Sequence, residues 1–375
     1  MLAWLPVRIL IDYRPALVSR TGVGEYAHEL TAALLPHLTG GDALTLFSSS
    51  WKDRLTPARM PGAHVVDARI PVRLLDLVWH RLQWPPVEML AGTVDVAHST
   101  RPLLMPARKA AQVITIHDLF FLDHSTGGPI EVRRDYPALV ERHAQRADAV
   151  ITISRYSATQ IGRRLGVSAD RIALCPPGAP AWAPRHPPPP DGPILFVGSA
   201  EPRKNVEGLL RAYVRLRERA RDAPTLVLAG PPPGDATPIR AMLNKPPLSQ
   251  HARHVGYVSE AERLRWFREA SILVMPSLDE GFGMPVLEAM TIGLPVVAAN
   301  RGALPEVAGD AALLVDPNDV DGMAGAMDRM LNDCAFADCC VSRGFRRAAN
   351  YTWRASALAL LQAYHDAVAR RRDRA

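Results

Sequence analysis

Asp279-Glu280-Gly281-Phe282-Gly283-Met284-Pro285-Val286-Leu287-Glu288 is the stretch on which the reading of this chain turns. It holds a carboxylate, a glycine turn, a proline suited to the first position of a helix because it has no N–H to lose, and a second carboxylate. Just upstream, Ser271-Ile272-Leu273-Val274-Met275-Pro276 has the apolar run of a buried strand, so the unit is strand, glycine loop, helix. Such a turn leaves backbone N–H groups free at a helix N-terminus, where a phosphate or sugar oxygen is held. Two acids beside an anion site do nothing for phosphate alone. They suit a ligand that also carries hydroxyl groups in need of acceptors.

Outward from this unit, short apolar runs alternate with amphipathic segments, the pattern of parallel sheets with helical crossovers. The expected strands of the first half are Val7–Asp12, Ala43–Ser48, Val94–His98, Gln112–His117 and Ala149–Ser154. Those of the second are Pro193–Ser199, Thr225–Gly230, Arg253–Val258, Ile272–Pro276, Pro295–Ala299 and Ala312–Val315. Between them, Cys175-Pro176-Pro177-Gly178-Ala179-Pro180, Pro184 and the run Pro187 to Pro190 can continue neither sheet nor helix and read as a stiff spacer. We therefore expect a first domain over 1–178, a proline-rich linker over 179–192 and a second domain over 193–352. From Trp353 to Arg372, Leu358, Leu361, Tyr364 and Val368 recur at helical spacing, and Arg370-Arg371-Arg372-Asp373-Arg374 reads as a solvated, frayed helix end. Two similar α/β halves facing a cleft follow, with the ligand at the carboxyl ends of the strands.

A chain of 375 residues is comfortable for two such domains. The formal charge of +6 suits anionic ligands or a membrane surface, and no aromatic-rich basic motif is present that would stack bases, which argues against a nucleic-acid partner. Cys175, Cys334, Cys339 and Cys340 match no zinc or redox spacing, which points to a reducing compartment. The apolar run at Met1–Val7 is too short for a signal peptide, and no stretch reaches transmembrane length. A cytoplasmic protein is the expectation.

The second domain opens with Gly198-Ser199-Ala200-Glu201-Pro202-Arg203-Lys204-Asn205 after an apolar run, and Asn205 is placed to cap the next helix. Arg203 and Lys204 then sit at the carboxyl edge of the sheet, where a guanidinium fork and an ammonium point charge suit a diphosphate. In the first domain Gly22 to Ala27 matches the dinucleotide fingerprint in form, but the strand before it ends too early and the next strand ends without an acid for a ribose. A glycine loop at Gly22-Val23-Gly24 that lets a ligand approach the backbone is what survives, followed by a helix with Leu30, Ala33 and Leu34 inward. His117 ends a strand at the same edge and is a candidate site residue. Asp319-Val320-Asp321 has the form of a metal-binding D-x-D, but it opens a helix, where an acid caps; no metal site is assigned.

Taken together the segments TGVGEYAHEL (21–30), TIHDLFFL (115–122), ADAVITISRYSATQI (147–161), GSAEPRKNVEGLLRAY (198–213) and HVGYVSEAERLRWFREA (254–270) resemble the retaining glycosyltransferases of family four. The resemblance continues through residues 276–317 and the closing YTWRASALALL (351–361), in order and over nearly the whole chain. It implies the GT-B fold, two Rossmann-like domains facing a cleft, with Trp353 to Arg372 crossing back onto the first domain. It implies that Arg203 and Lys204 hold the donor's diphosphate with Gly198 beside them. Glu280 would begin an E-x7-E motif and bind sugar hydroxyls, with Gly281, Phe282, Gly283 and Met284 lending backbone groups and Pro285, Val286 and Leu287 continuing the wall. Glu288 would take the ribose, Tyr257 and Val258 would face the base, Gly22, Val23 and Gly24 would pack on the phosphates, and His117 would lie near the transferred sugar. Glu25 replaces the arginine common there in related mannosyltransferases. The implied activity is metal-independent transfer of a hexose, mannose from GDP-mannose being the first choice, to a saccharide or lipid-linked saccharide in surface-polysaccharide synthesis. GDP-mannose is then substrate and no cofactor is required. The enzyme would be cytoplasmic, with a peripheral membrane contact as a further partner. A UDP-sugar epimerase of the same architecture and a non-catalytic nucleotide-sugar binder are the alternatives. Phe120, Phe121 and Leu122, with Arg133 and Arg134 beyond, either meet a lipid-linked acceptor or form a packed loop with a solvated basic helix after it, the second being preferred.

Overall fold

The structure, a computed structural model, describes residues 6–18, 22–123, 130–185, 192–231 and 238–374, with no side chain described for Val18 and 130–134. The prolines 187–190 and the side chains of Arg133 and Arg134 lie outside the described residues. The chain divides into two compact units, Met1–Gly178 with Thr352–Ala375, and Ala179–Tyr351.

The first unit is built on seven parallel strands: β1 (Arg8–Asp12), β2 (Ala43–Ser48), β3 (His64–Asp67), β4 (Val96–Ser99), β5 (Ala111–Thr115), β6 (Ala149–Thr152) and β7 (Ile172–Leu174). Their order is β3-β2-β1-β4-β5-β6-β7. The second unit has six: β8 (Ile194–Val197), β9 (Leu226–Ala229), β10 (Ala252–Gly256), β11 (Ile272–Met275), β12 (Val296–Ala299) and β13 (Leu313–Val315), in the order β10-β9-β8-β11-β12-β13. Central strands are buried on both faces, as in β5 and β11, because crossover helices cover both sides and the Val, Ile and Leu side chains have no solvent face to avoid. In each sheet the chain order reverses once, between β1 and β4 and between β8 and β11. A doubly wound sheet binds ligands outside the carboxyl ends of its strands at that reversal.

Each expected strand is present, most of them shorter by one or two residues at an end. His117 therefore lies two residues beyond the end of β5 rather than in it. The sequence reading missed β3 and β7, edge strands of four and three residues whose apolar run is too short to register.

Three further expectations change. Over residues 179–185 the proline-rich segment is not a free spacer: the Arg185 N–H donates to the Ile292 carbonyl at 2.9 Å, its Nε to that of Gly293 at 3.1 Å, and Trp182 tilts against Phe267 at 5.8 Å. The terminal helix Trp353–Asp373 packs within the first unit, but through Ala357, Leu360, Ala363, Tyr364 and Ala367, leaving Leu358 exposed. Small residues let it lie close to the sheet, and Tyr364 Oη meets His98 Nδ1 at 2.6 Å. Its end is not frayed either. Arg370 donates to the Asp148 carbonyl (3.1 Å), Arg371 to that of Arg108 (3.1 Å), and Arg374 pairs with the fully buried Asp148 carboxylate at 3.3 Å. Among the described residues no helix is long and apolar enough to cross a membrane.

Candidate active site

At the reversal of the second sheet the loops after β8 and β11 are tied together by backbone: Leu278 N–H donates to the Arg203 carbonyl at 2.7 Å. Asn205 contributes to the same join. It adopts a left-handed conformation (φ 53°) and donates from Nδ2 to the carbonyls of Pro276 (3.1 Å) and Pro317 (2.8 Å). This corrects the expectation that its side chain caps the following helix, because a residue turned that way aims its amide across the strand ends instead.

The join brings Arg203, Lys204 and Glu280 together. Lys204 Nζ lies 2.6 Å from Glu280 Oε1, Arg203 Nη1 lies 3.0 Å from Oε2, and Ser277 Oγ donates to Oε1 at 2.7 Å. Glu280 is 5% exposed. Burial pushes its carboxyl up, but Lys204 and Arg203 more than offset this and hold it below the usual carboxylate range. Arg203 is shared with Glu201 at 2.9 Å. The backbone of Glu280 is fixed as well: its carbonyl accepts from Ala303 N–H at 2.9 Å. Gly302 makes that approach possible, since its φ is +61° and a Cβ there would come within 2.6 Å of the Glu280 nitrogen.

The helix after the glycine loop runs Met284–Ile292 with Gly283 before it at φ 99°, so Pro285 occupies its second position, not its first. Val286 and Leu287 are core residues, and Phe282 is buried edge-on against Tyr351 at 5.4 Å. These three anchor the loop, so only their backbone groups are available to a ligand. Glu288 does not share the Glu280 cluster: it is 3% exposed and pairs with Arg263 at 3.3 Å, whose guanidinium also lies over Trp182 at 5.7 Å. Ser277 and Arg263 were missed from sequence. Ser277 stands between the strand and the glycine loop of the opening unit and was open to discovery, whereas nothing in SEAERLRWFREA separates Arg263 from Arg265 and Arg268.

Tyr257 and Val258 follow β10 at the edge of the sheet, and Tyr257 is 61% exposed. Gly198 follows β8 beside the Lys204 side chain. Asp319 caps the helix Val320–Asn332, accepting from Gly322 N–H at 2.8 Å, and Asp321 pairs with Arg219 at 2.7 Å.

In the first unit Gly22 precedes the helix Val23–Leu34 at φ 53°, with Val23 exposed and Gly24, Tyr26, Leu30 and Leu34 inward; Ala33 is only partly covered. Tyr26 donates to the Cys175 carbonyl at 2.8 Å and meets His117 edge-on at 5.0 Å. A backbone hydrogen bond to Thr100 holds the His117 ring, and its Nε2 is buried with no hydrogen-bond partner among the described residues. Burial pushes the imidazole down to about 4, with Asp118 and the Thr100 bond only partly opposing, so it is neutral at neutral pH. The reversal of this sheet also carries an ion cluster that no spacing indicated: buried Asp12 pairs with Arg14 at 2.8 Å, and Arg14 and Arg101 reach Asp76 at 2.9 and 3.2 Å. Phe120–Leu122 forms a short turn with Phe121 packed on Tyr136 at 5.2 Å.

Comparison with known proteins agrees with this geometry. Residues 183–347 match the family model described as glycosyl transferases group 1, and residues 20–181 match that of glycosyltransferase family 4. The O-antigen chain mannosyltransferase B of Escherichia coli is 30% identical over 380 residues, covering 96% of this chain and 99% of that protein. The MMP alpha-(1->4)-mannosyltransferase of Mycolicibacterium hassiacum is 31% identical over 247 residues, 64% of this chain and 59% of its own. The solved sucrose-phosphate synthase of Thermosynechococcus elongatus superposes with a TM-score of 0.77 at 21% identity, covering 96% of this chain and 98% of that one, a likeness of fold. The chain belongs to the group 1 glycosyltransferases of the family-four type, enzymes with the two-domain GT-B fold.

Proposed function

We propose that this glycosyltransferase moves a hexose, mannose from GDP-mannose, onto a saccharide or lipid-linked saccharide acceptor in surface-polysaccharide synthesis, with retention of configuration and without a metal. The observation that carries the reading is the cluster of Arg203, Lys204 and Glu280 at the reversal of the second sheet. The mannose assignment draws its support from the full-length relative that is named as a mannosyltransferase.

The bond that breaks joins the anomeric carbon to the diphosphate, whose departing oxygen gathers negative charge. Arg203, Lys204 and the amino end of the helix Met284–Ile292 are preorganised cations and dipoles for that charge, so no metal is needed to stabilise it. Once the diphosphate engages the two cations, Glu280 has oxygens to spare for the sugar hydroxyls, and Glu288 takes the ribose. The acceptor hydroxyl attacks the anomeric carbon on the face the diphosphate leaves, and its proton passes to the leaving phosphate oxygen. That route keeps Glu280 as a hydroxyl acceptor rather than a nucleophile. In the first unit, the neutral imidazole of His117 keeps an Nε2 lone pair that suits a hydroxyl group. A lipid-linked acceptor would bring the enzyme to the inner face of the membrane.

A donor screen reading free diphosphate tests the whole reading. GDP-mannose with a saccharide acceptor should give transfer that persists in EDTA and falls at least about a hundredfold in Lys204→Ala, the scale for losing one group aimed at a developing charge. Preference for a UDP-sugar would overturn the donor assignment. Isomerisation of a UDP-sugar with no acceptor present would overturn the reaction class.

A further inference from the structure

The amino ends of the first sheet's strands carry a second concave site, at the edge opposite the loops discussed above. A cavity of about 580 Å³ is lined by Arg8 at the start of β1, Arg108 and Lys109 just before β5, and Arg371, Arg372 and Arg374 at the end of the terminal helix. Six cationic side chains thus face one carboxylate in the lining, Asp95. That carboxylate is already engaged by Arg8 through two hydrogen bonds of 2.9 and 2.8 Å.

Such a gathering of like charge repels itself and has to be held in place. The structure shows how it is held. Asp148, behind the cavity, takes Arg374 at 3.3 Å and Arg371 at 3.9 Å. Arg371 is also fixed by the Arg108 carbonyl at 3.1 Å. The turn bearing Arg108 and Lys109 is clamped by Glu88, which accepts both of their N–H groups at 2.9 Å. The side chains of Arg108, Lys109 and Arg372 have no carboxylate within ion-pair distance among the described residues. Arg8, Arg371 and Arg374 are thus held by partners, the backbone bearing Arg108 and Lys109 is fixed, and the side chains of Arg108, Lys109 and Arg372 are left to meet a phosphate. Its volume suits a headgroup or a small phosphorylated molecule.

We propose that this cavity is a binding site for a ligand carrying two phosphate groups, separate from the donor site in the other unit. The site stands independently of the donor assignment. Two sources share this chemistry, a diphosphatidyl lipid headgroup and a soluble diphosphate, and two probes distinguish them.

The first probe is inorganic pyrophosphate, titrated calorimetrically into Arg203→Ala/Lys204→Ala protein so that the donor cations do not contribute. The second is sedimentation of the unsubstituted protein with phosphatidylcholine vesicles with and without cardiolipin. Binding of either probe that weakens roughly thirtyfold in Arg108→Glu/Lys109→Glu supports the site, and binding of pyrophosphate alone assigns it to a soluble ligand. Cardiolipin-dependent sedimentation assigns it to lipid, and it should fade as salt rises. Arg108→Ser/Lys109→Ser should weaken binding less, with an unchanged melting temperature showing that the fold is intact. Failure of both probes to bind, or equal binding by the charge-reversed protein, overturns the proposal. Transfer to a soluble acceptor should be the same in Arg108→Glu/Lys109→Glu and Arg108→Ser/Lys109→Ser as in the unsubstituted enzyme.

Discussion

Replacing Glu280 by Gln tests the central cluster most directly, because it keeps the shape of the side chain and removes its charge. Both carboxylate oxygens are occupied: Oε1 by Lys204 (2.6 Å) and Ser277 (2.7 Å), Oε2 by Arg203 (3.0 Å). A glutamine can present its oxygen to only one cation and turns an N–H2 group toward the other. One charge-assisted hydrogen bond is lost outright, worth about 1.5–3 kcal/mol, and the two cations lose the buried acid they share, while Glu201 stays on Arg203. Lys204 and Arg203 are 11% and 18% exposed, so some of the repulsion relaxes into water, and a net loss near 3 kcal/mol follows. For a unit of this size that is a fall of roughly 6–12 °C in melting temperature. Since Lys204 and Arg203 hold the Glu280 pKa below its unfolded value, the loss should be full above about pH 5 and shrink as pH falls through the folded pKa. The second readout is binding. Without Glu280 to compete for them, the cations should hold a nucleoside diphosphate at least as tightly as before, while transfer of the sugar collapses. Calorimetry with GDP, beside a transfer assay, would show the two moving apart. Equal stability together with unchanged transfer would refute the reasoning at its base.

Two further outcomes follow from the same geometry. Five described histidines of the first unit are driven down by burial, His98 to about 3, His80, His117 and His143 to about 4, and His365 in the same direction, so between about pH 6.5 and 4 the unfolded chain binds protons that the folded unit does not. Stability of that unit should therefore drop as pH falls through this window, by up to roughly 3 kcal/mol per group, and hydrogen exchange at β5 should accelerate; a flat profile would count against neutral buried imidazoles. Gly302→Ala places a Cβ against the Glu280 nitrogen at 2.6 Å on a backbone at φ +61°, so transfer should fall at least about tenfold with a lower melting temperature, and a fully active variant would mean that the loop holding Glu280 is not held by this contact.

The parts of the fold and site that were legible in sequence are those whose signal is local. Ile272–Met275 is a run of apolar residues followed at once by the glycine loop, so strand, turn and helix can be read in one window. Arg203 and Lys204 stand next to a strand end and were legible for the same reason. What escaped reading depends on partners distant in the chain or on fit rather than polarity. Asn205 looks like a cap until the carbonyls of Pro276 and Pro317 come within its reach. The inward stripe of the terminal helix was misjudged because apolarity favours Leu358 over Ala357, whereas close packing on a sheet favours the alanine. Arg370, Arg371 and Arg374 read as solvated because Asp148, their common partner, lies more than two hundred residues earlier.

This difference bears on how the E-x7-E pattern is understood. Read along the chain, Glu280 and Glu288 are two acids of one motif, eight residues apart. In the folded unit they are two acids with separate counter-charges: Glu280 with Arg203 and Lys204, Glu288 with Arg263. A buried carboxylate cannot stand idle without a partner, and in the folded unit each has cations against it. For Glu280 those cations are the ones proposed to receive the donor's diphosphate. Donor binding then becomes an exchange, in which phosphate takes the cations and the sugar takes the carboxylate. A diphosphate without its sugar would leave Glu280 buried and uncompensated, which disfavours product relative to donor. The acid that reads the sugar would thereby also help release the nucleotide.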